Sequence, residues 1–281
     1  MTGNLNSFFM ALLFCVGSFA YSINPKKIHY PLFSVYANGK TVGTQISLPT
    51  IYLDVDEVKA GGRSAMLPMQ VFENVTGMAQ SVLEVRSSAG EGSAVHVGGK
   101  LVLTNLHVIS SSQNENIKSC RANFYSKAYF RKTTKFKCKK IHYCSKELDF
   151  CLLELFDSKR GTELDQSKSA KLRSFYNPQN ADEVELFAVG NTGGHGIYAS
   201  SGYGLDGFGP NNIKYFAGSF KGNSGGGLFT SDGDLVAIVN AQSPNLYGKD
   251  AFNVAIPLRL IKKELETNSK LDVKVLKQIN W

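Results

Sequence analysis

Apolar and polar positions alternate, or apolar residues run together briefly, in a series of short segments at 81–85, 93–97, 100–104, 122–125, 135–141, 150–155, 184–189, 213–217 and 235–240. Each is strand-length, rich in Val, Ile, Phe and Tyr, and bounded by Gly, Ser, Asn or Asp. That spacing predicts an all-β sandwich or barrel rather than strands alternating with long helices. One segment has the helical period instead. From Pro257 to Thr267, Leu258, Ile261 and Leu265 recur at three and four residues with Lys262 and Lys263 opposite, and proline suits the first turn.

A different pattern opens the chain. Residues 1–20 carry no Lys, Arg, Asp or Glu, and Phe8–Val16 is unbroken apolar. Small residues at Ser18 and Ala20 fit a signal-peptidase site, so 1–20 is expected to be a leader and the mature chain secreted or periplasmic. Residues 21–65 look like an N-terminal extension or pro-region, with a cleavable stretch at Lys59–Arg63. No later run is long enough to span a membrane.

Composition then narrows the classes. The 281 residues are 43% hydrophobic and 19% charged, which permits a sizeable core and excludes a disordered chain. Of five cysteines, Cys15 lies in the leader. The mature Cys120, Cys138, Cys144 and Cys151 lack zinc-site spacing and point to disulfides in an exported protein. Cys120 and Cys138 bracket a hairpin, and Cys144 and Cys151 flank a short turn, so the pairs expected are 120–138 and 144–151. Nearly half of the 27 glycines fall between Gly190 and Gly227. The net charge of +8 concentrates in Lys127, Arg131, Lys132, Lys135, Lys137, Lys139 and Lys140, read as a solvated hairpin face. No nucleic-acid motif accompanies it, and no nucleic-acid partner is expected. His29, His96, His142 and His195 form no metal signature; no metal and no cofactor are expected.

Three segments carry chemistry. In Lys221–Leu228 a serine, Ser224, is flanked by glycines that let backbone N–H groups point into a cleft. His107 follows an apolar strand directly and is the natural general base near neutral pH. Asp149 opens the apolar strand 150–155, where a half-buried carboxylate can orient a histidine. Alone, each has an ordinary structural reading.

Together, in the order His, Asp, Ser, they resemble the chymotrypsin-like (trypsin-like) serine peptidases over about residues 66–270. Thr104–Val108 is similar to the family's Thr-Ala-Ala-His motif, Asp149–Leu153 to Asp-Ile-Ala-Leu-Leu, and Gly222–Gly226 to Gly-Asp/Asn-Ser-Gly-Gly. Ala237–Asn240 resembles the strand lining the primary specificity pocket, and the Pro257 helix the closing C-terminal helix. The resemblance implies two antiparallel β-barrels, at about 80–156 and 181–256, then the helix 257–267 and a tail 271–281. It implies a serine endopeptidase with His107, Asp149 and Ser224 catalytic, an oxyanion hole from the Gly222 and Ser224 amides, and polypeptide substrates; a monomer is expected. Asn223 stands where digestive members carry aspartate, which resembles the bacterial branch that includes the HtrA and glutamyl-endopeptidase types, and argues against activation by an N-terminal salt bridge. Counted back from Ser224, Gly218 falls where trypsins carry their selecting aspartate. With Ser219 and Asn240 forming the rest of the pocket, a medium-sized uncharged side chain is expected before the scissile bond. A protease fold without activity, serving as a binding module, is the alternative reading.

Overall fold

The computed structural model describes residues 52–54, 74, 77–110, 120–128, 132–157, 164, 168–174, 185–194, 196–205, 212–217, 219, 221–242 and 253–281. The expected leader, Cys15, nearly all of the 21–65 extension, Gly218, His29 and His195 lie outside the described residues.

Six strands close the first barrel: β2 (Val82–Ser87), β3 (Gly90–Gly98), β4 (Leu101–Asn105), β5 (Asn123–Ala128), β6 (Lys132–Ser145) and β7 (Phe150–Asp157), in the order β2-β3-β4-β7-β6-β5. The second sheet runs β1-β10-β11-β14-β13-β12-β9, and its β9–β10 ladder curls it back on itself. Its strands are β9 (Glu185–Asn191), β10 (Ile197–Leu205), β11 (Ile213–Ala217), β12 (Gly227–Thr230), β13 (Asp234–Gln242) and β14 (Asn253–Pro257), with β8 (Lys171–Leu172) parallel to β13. This is the all-β double barrel expected. The extension nevertheless contributes to it, because β1 (Tyr52–Asp54) pairs antiparallel with Ser200–Tyr198 of β10.

The alternation along each strand sorts the side chains. Leu83, Val85, Ala94, Val102, Phe124, Phe136, Leu153 and Leu155 fill the first barrel, and Leu186, Ala188, Tyr215, Leu228, Val236 and Val239 the second. The opposite faces of several of the same strands meet in one shared core: Val95, Leu101, Leu103, Phe150 and Leu152 against Phe187, Val189, Phe229 and Ile238. β4 and β7 are therefore apolar on both faces over Leu101–Leu103 and Phe150–Leu153, which is why those stretches read as unbroken apolar runs.

Helix α2 (Leu258–Thr267) buries Leu258, Ile261 and Leu265 in that shared core, as its period predicts. The expected tail does not trail away. Leu271, Val275 and Ile279, four residues apart around the short helix α3 (Val273–Leu276), join the same core, and Asn280 N donates to Val97 O at 2.9 Å. Tyr143 of β6 donates its phenol proton to Glu264 of α2 at 2.6 Å, and burial together with that carboxylate pushes its pKa up to about 12. Of the other histidines, His96 is buried in β3 against Gly99 O, and His142 packs on Glu154.

One expected disulfide forms and one does not. Cys144 and Cys151 are cross-strand partners with Cα atoms 4.1 Å apart, and they are bonded. The β5–β6 register pairs Asn123 with Lys137, which puts Ala122 rather than Cys120 opposite Cys138. Cys120 and Cys138 are accordingly free thiols hydrogen bonded to each other. That bond holds Cys120 below the usual thiol range and, with burial, pushes Cys138 up. Replacing Cys144 and Cys151 by serine is expected to lower the unfolding free energy by about 2 kcal/mol, because the bond closes only a short loop. The check is an earlier urea midpoint in the double variant.

Candidate active site

At the end of β4 the extended Asn105 turns the chain into the single helical turn α1 (Leu106–Ile109). Leu106, Val108 and Ile109 are buried in the first barrel, which leaves His107 facing out with 37% of its side chain exposed. Asp149 closes the β6–β7 turn at φ 54°, alone among the described non-glycine residues in the left-handed region. Aspartate tolerates that conformation better than most side chains, and backbone held there is a sign of a constrained site.

The constraint is visible in the hydrogen bonds. The Asp149 carbonyl oxygen accepts from Leu106 N at 3.2 Å and from Asn105 Nδ2 at 2.9 Å. Its carboxylate accepts from His107 N at 3.0 Å through Oδ1 and from the His107 ring Nδ1 at 2.6 Å through Oδ2. Four bonds thus fix Asp149 against the Asn105–His107 turn, two of them to His107 itself. With Nδ1–H donating to the carboxylate, the ring's Nε2 carries the lone pair and is free to take a proton.

The serine turn is built on glycine. Gly222 has φ +99° and Gly225 φ +83°; a Cβ on the first would run into the Asn191 carbonyl oxygen, and on the second into the Ser93 carbonyl oxygen. Conformation and space both exclude other residues there. Neither the Gly222 nor the Ser224 amide donates to another described residue. Both remain available to a negative oxygen. The side-chain carbonyl of Asn223 accepts from Thr192 Oγ1 at 2.8 Å, a fixed neutral contact where digestive enzymes use a charged one.

Ser93 of β3 ties this turn to everything around it. Its Oγ donates to Gly222 O at 2.7 Å and accepts from Asn191 N at 2.8 Å. Its backbone N donates to Ser224 O at 2.8 Å, and its carbonyl oxygen accepts from Thr104 Oγ1 at 2.6 Å. Beside it, a Cβ on Gly92 would meet both Val108 methyl groups and lie 3.3 Å from Ser224 O. The α1 turn bearing His107 and the turn bearing Ser224 therefore pack on the same two residues of β3. Ser93 and Asn191 were not visible in the sequence, since nothing local marks partners so far apart along the chain.

Loss of the Ser93 hydroxyl strands a buried carbonyl and a buried amide and loosens the peptide that orients the Gly222 turn. Ser93→Ala is expected to lower kcat about tenfold to a hundredfold with KM little changed. Steady-state kinetics on a peptide substrate give that split directly.

Of the remaining expected pocket residues, Ser219 is buried and Asn240 lies on β13 with its carbonyl oxygen beside the serine. The Ser224 hydroxyl donates to that oxygen at 2.9 Å, and no hydrogen bond joins it to the His107 ring. The structure thus holds the acid and base together, and seats the serine in a glycine-built turn with its hydroxyl bonded to Asn240 O of β13.

The model of the trypsin-like peptidase domain family matches residues 92–238, which spans α1, Asp149 and the serine turn. The chain belongs to the trypsin-like peptidase family. It is a serine endopeptidase by that membership, and peptide bonds are the substrate its family hydrolyses. No curated protein matches the sequence. Several solved structures share the trypsin-like fold. A serine endoprotease from Yersinia pestis is 21% identical, with 75% of this chain and 68% of that chain covered and a TM-score of 0.53. Deg5 is 20% identical, with 69% and 91% covered and a TM-score of 0.55. The HtrA-type protease AlgW, solved with a decapeptide, is 19% identical, with 70% and 66% covered and a TM-score of 0.52. Among the described residues of this trypsin-like peptidase, no helix is long and apolar enough to cross a membrane.

Proposed function

We propose that this trypsin-like peptidase is exported and cleaves polypeptides internally through His107, Asp149 and Ser224. The observation that carries the reading is the 2.6 Å contact between the His107 ring and Asp149, with the α1 turn that bears His107 packed on the same two residues of β3 as the Ser224 turn.

In the first step the Ser224 hydroxyl leaves Asn240 O and gives its proton to His107 Nε2 as Oγ bonds to the scissile carbonyl carbon. The carbonyl's π pair moves onto oxygen, where the Gly222 and Ser224 N–H groups receive it. Asp149 stabilises the imidazolium. Collapse breaks the C–N bond, His107 protonates the leaving amine, and an acyl-enzyme remains on Ser224. A water activated by His107 repeats the sequence and frees the acid. With Gly218, Ser219 and Asn240 supplying no charge, the pocket takes an uncharged, medium-sized side chain. The charge-free first twenty residues and the Cys144–Cys151 bond support export.

Covalent labelling with a fluorophosphonate, located by peptide mapping, tests the reading; label on Ser224 is the expected result. One observation favours the silent binding module instead, namely the Ser224 hydroxyl's bond to Asn240 O. Absence of label in the folded protein would assign that second reading.

A further inference from the structure

The strand edge at Asn240–Gln242 flanks one side of Ser224. Past Val239, β13 has no β12 partner among the described residues, and an extended acyl segment can add there. The other side of Ser224, where the leaving group must go, is built by β3. Side chains two apart on a strand share a face, so Glu91 projects the same way as Ser93. Ser93 Oγ reaches Gly222 O, and Glu91 Oε2 abuts Gly194, whose amide nitrogen lies 3.3 Å from where a Gly222 Cβ would stand. The Glu91 carboxylate therefore sits on the leaving-group rim of the cleft, next to the oxyanion turn.

That carboxylate reaches solvent. Its side chain is 44% exposed and makes no hydrogen bond to a described residue, and its ionic contact is Arg86 Nε at 3.8 Å. Arg86 is shared with Glu84, 3.6 Å away, whose side chain is only 6% exposed. Of the two carboxylates, Glu91 is the accessible one.

We infer that Glu91 is a specificity-determining residue that selects a lysine or arginine at the first or second position after the scissile bond. The inference rests on the cleavage reading above, because it takes its direction from where the acyl and leaving groups lie. The selection is electrostatic and partly solvent-screened, so the expected preference for lysine over alanine is about fivefold in kcat/KM, and it shrinks in high salt.

The test uses the full-length protein and quenched-fluorescence peptide libraries randomised before the cleavage site, with Lys, Ala or Glu fixed at those two positions. Rates are taken as ratios within each variant, so differences in the amount of folded enzyme cancel. The wild type is expected to cleave Lys faster than Ala and Ala faster than Glu. Glu91→Gln is expected to level the three, and E91K to reverse them. A preference that survives Glu91→Gln, or no preference in a protein that labels with fluorophosphonate, overturns the inference while leaving the peptidase reading intact. A preference for Glu overturns it and assigns the rim charge to Lys221 instead. Failure of the folded wild type both to label and to cleave overturns the two together.

Discussion

Ser224→Ala lowers kcat about a millionfold, on the expectation that nucleophile and base act as one unit. The substitution removes a single oxygen. The turn keeps its shape, since Gly222, Gly225 and the bond from Ser93 N to Ser224 O are backbone features that alanine preserves. The hydroxyl's hydrogen bond is to the part-buried Asn240 O, so its loss strands no fully buried group. The melting temperature and KM should therefore stay near those of the wild type while turnover falls. The oxyanion amides and the bound geometry remain, and about a thousandfold acceleration over water persists. Single-turnover hydrolysis of a quenched peptide, with circular dichroism on the same sample, reads both halves. Activity within about tenfold of wild type would remove Ser224 from the chemistry.

The same double packing that makes β4 and β7 rigid supports for His107 and Asp149 also made them legible. A strand buried on both faces shows an unbroken apolar run, and Leu101–Leu103 and Phe150–Leu153 are such runs. Helix α2 was legible for a related reason, since one face meets the core and the other meets water. β10 was not, because Ser200, Ser201, Gly202 and Gly204 interrupt its apolar residues where it crowds between neighbouring strands. β6 proved longer than its apolar core because its outer face, with Lys135, Lys137 and Lys139, lies in water and its polarity hides the strand. The last eleven residues carry Leu271, Val275 and Ile279 at helical spacing, but so few turns between lysines resemble a solvated tail until a core is present to receive them. The cysteine pairing turned on strand register, which short motifs do not encode: a directly opposed pair bonds, whereas Cys120 lies two residues beyond the partner of Cys138. For the site, the sequence could mark the residues whose neighbours are local. It could not mark Ser93, Asn191 or Glu91, whose roles arise only when β3 and β9 meet the serine turn.

Asp149→Asn separates the charge of that residue from its shape. Asparagine is among the few side chains that accept a left-handed backbone, so the turn at φ 54° and the bonds from Leu106 N and Asn105 Nδ2 to its carbonyl oxygen should survive. What changes is the acceptor count. The carboxylate receives both the backbone N–H and the ring Nδ1–H of His107, one on each oxygen. A carboxamide has a single oxygen. If it stays with the backbone N–H, its NH2 group faces Nδ1 and forces the ring into the tautomer with the proton on Nε2. That nitrogen then cannot take the Ser224 proton. If the amide flips, the part-buried backbone N–H of His107 meets a donor and the α1 turn is destabilised. Either way the imidazolium loses its counter-charge. The expected cost is about ten-thousandfold in kcat near neutral pH, smaller than that of Ser224→Ala because the nucleophile and oxyanion amides remain. Raising the pH should recover part of the loss, as hydroxide takes over the missing base function, and no such recovery should occur in Ser224→Ala. A pH–kcat profile of the two variants side by side separates a lost base from a lost nucleophile. A profile for Asp149→Asn within about tenfold of wild type would show that His107 takes its orientation from elsewhere.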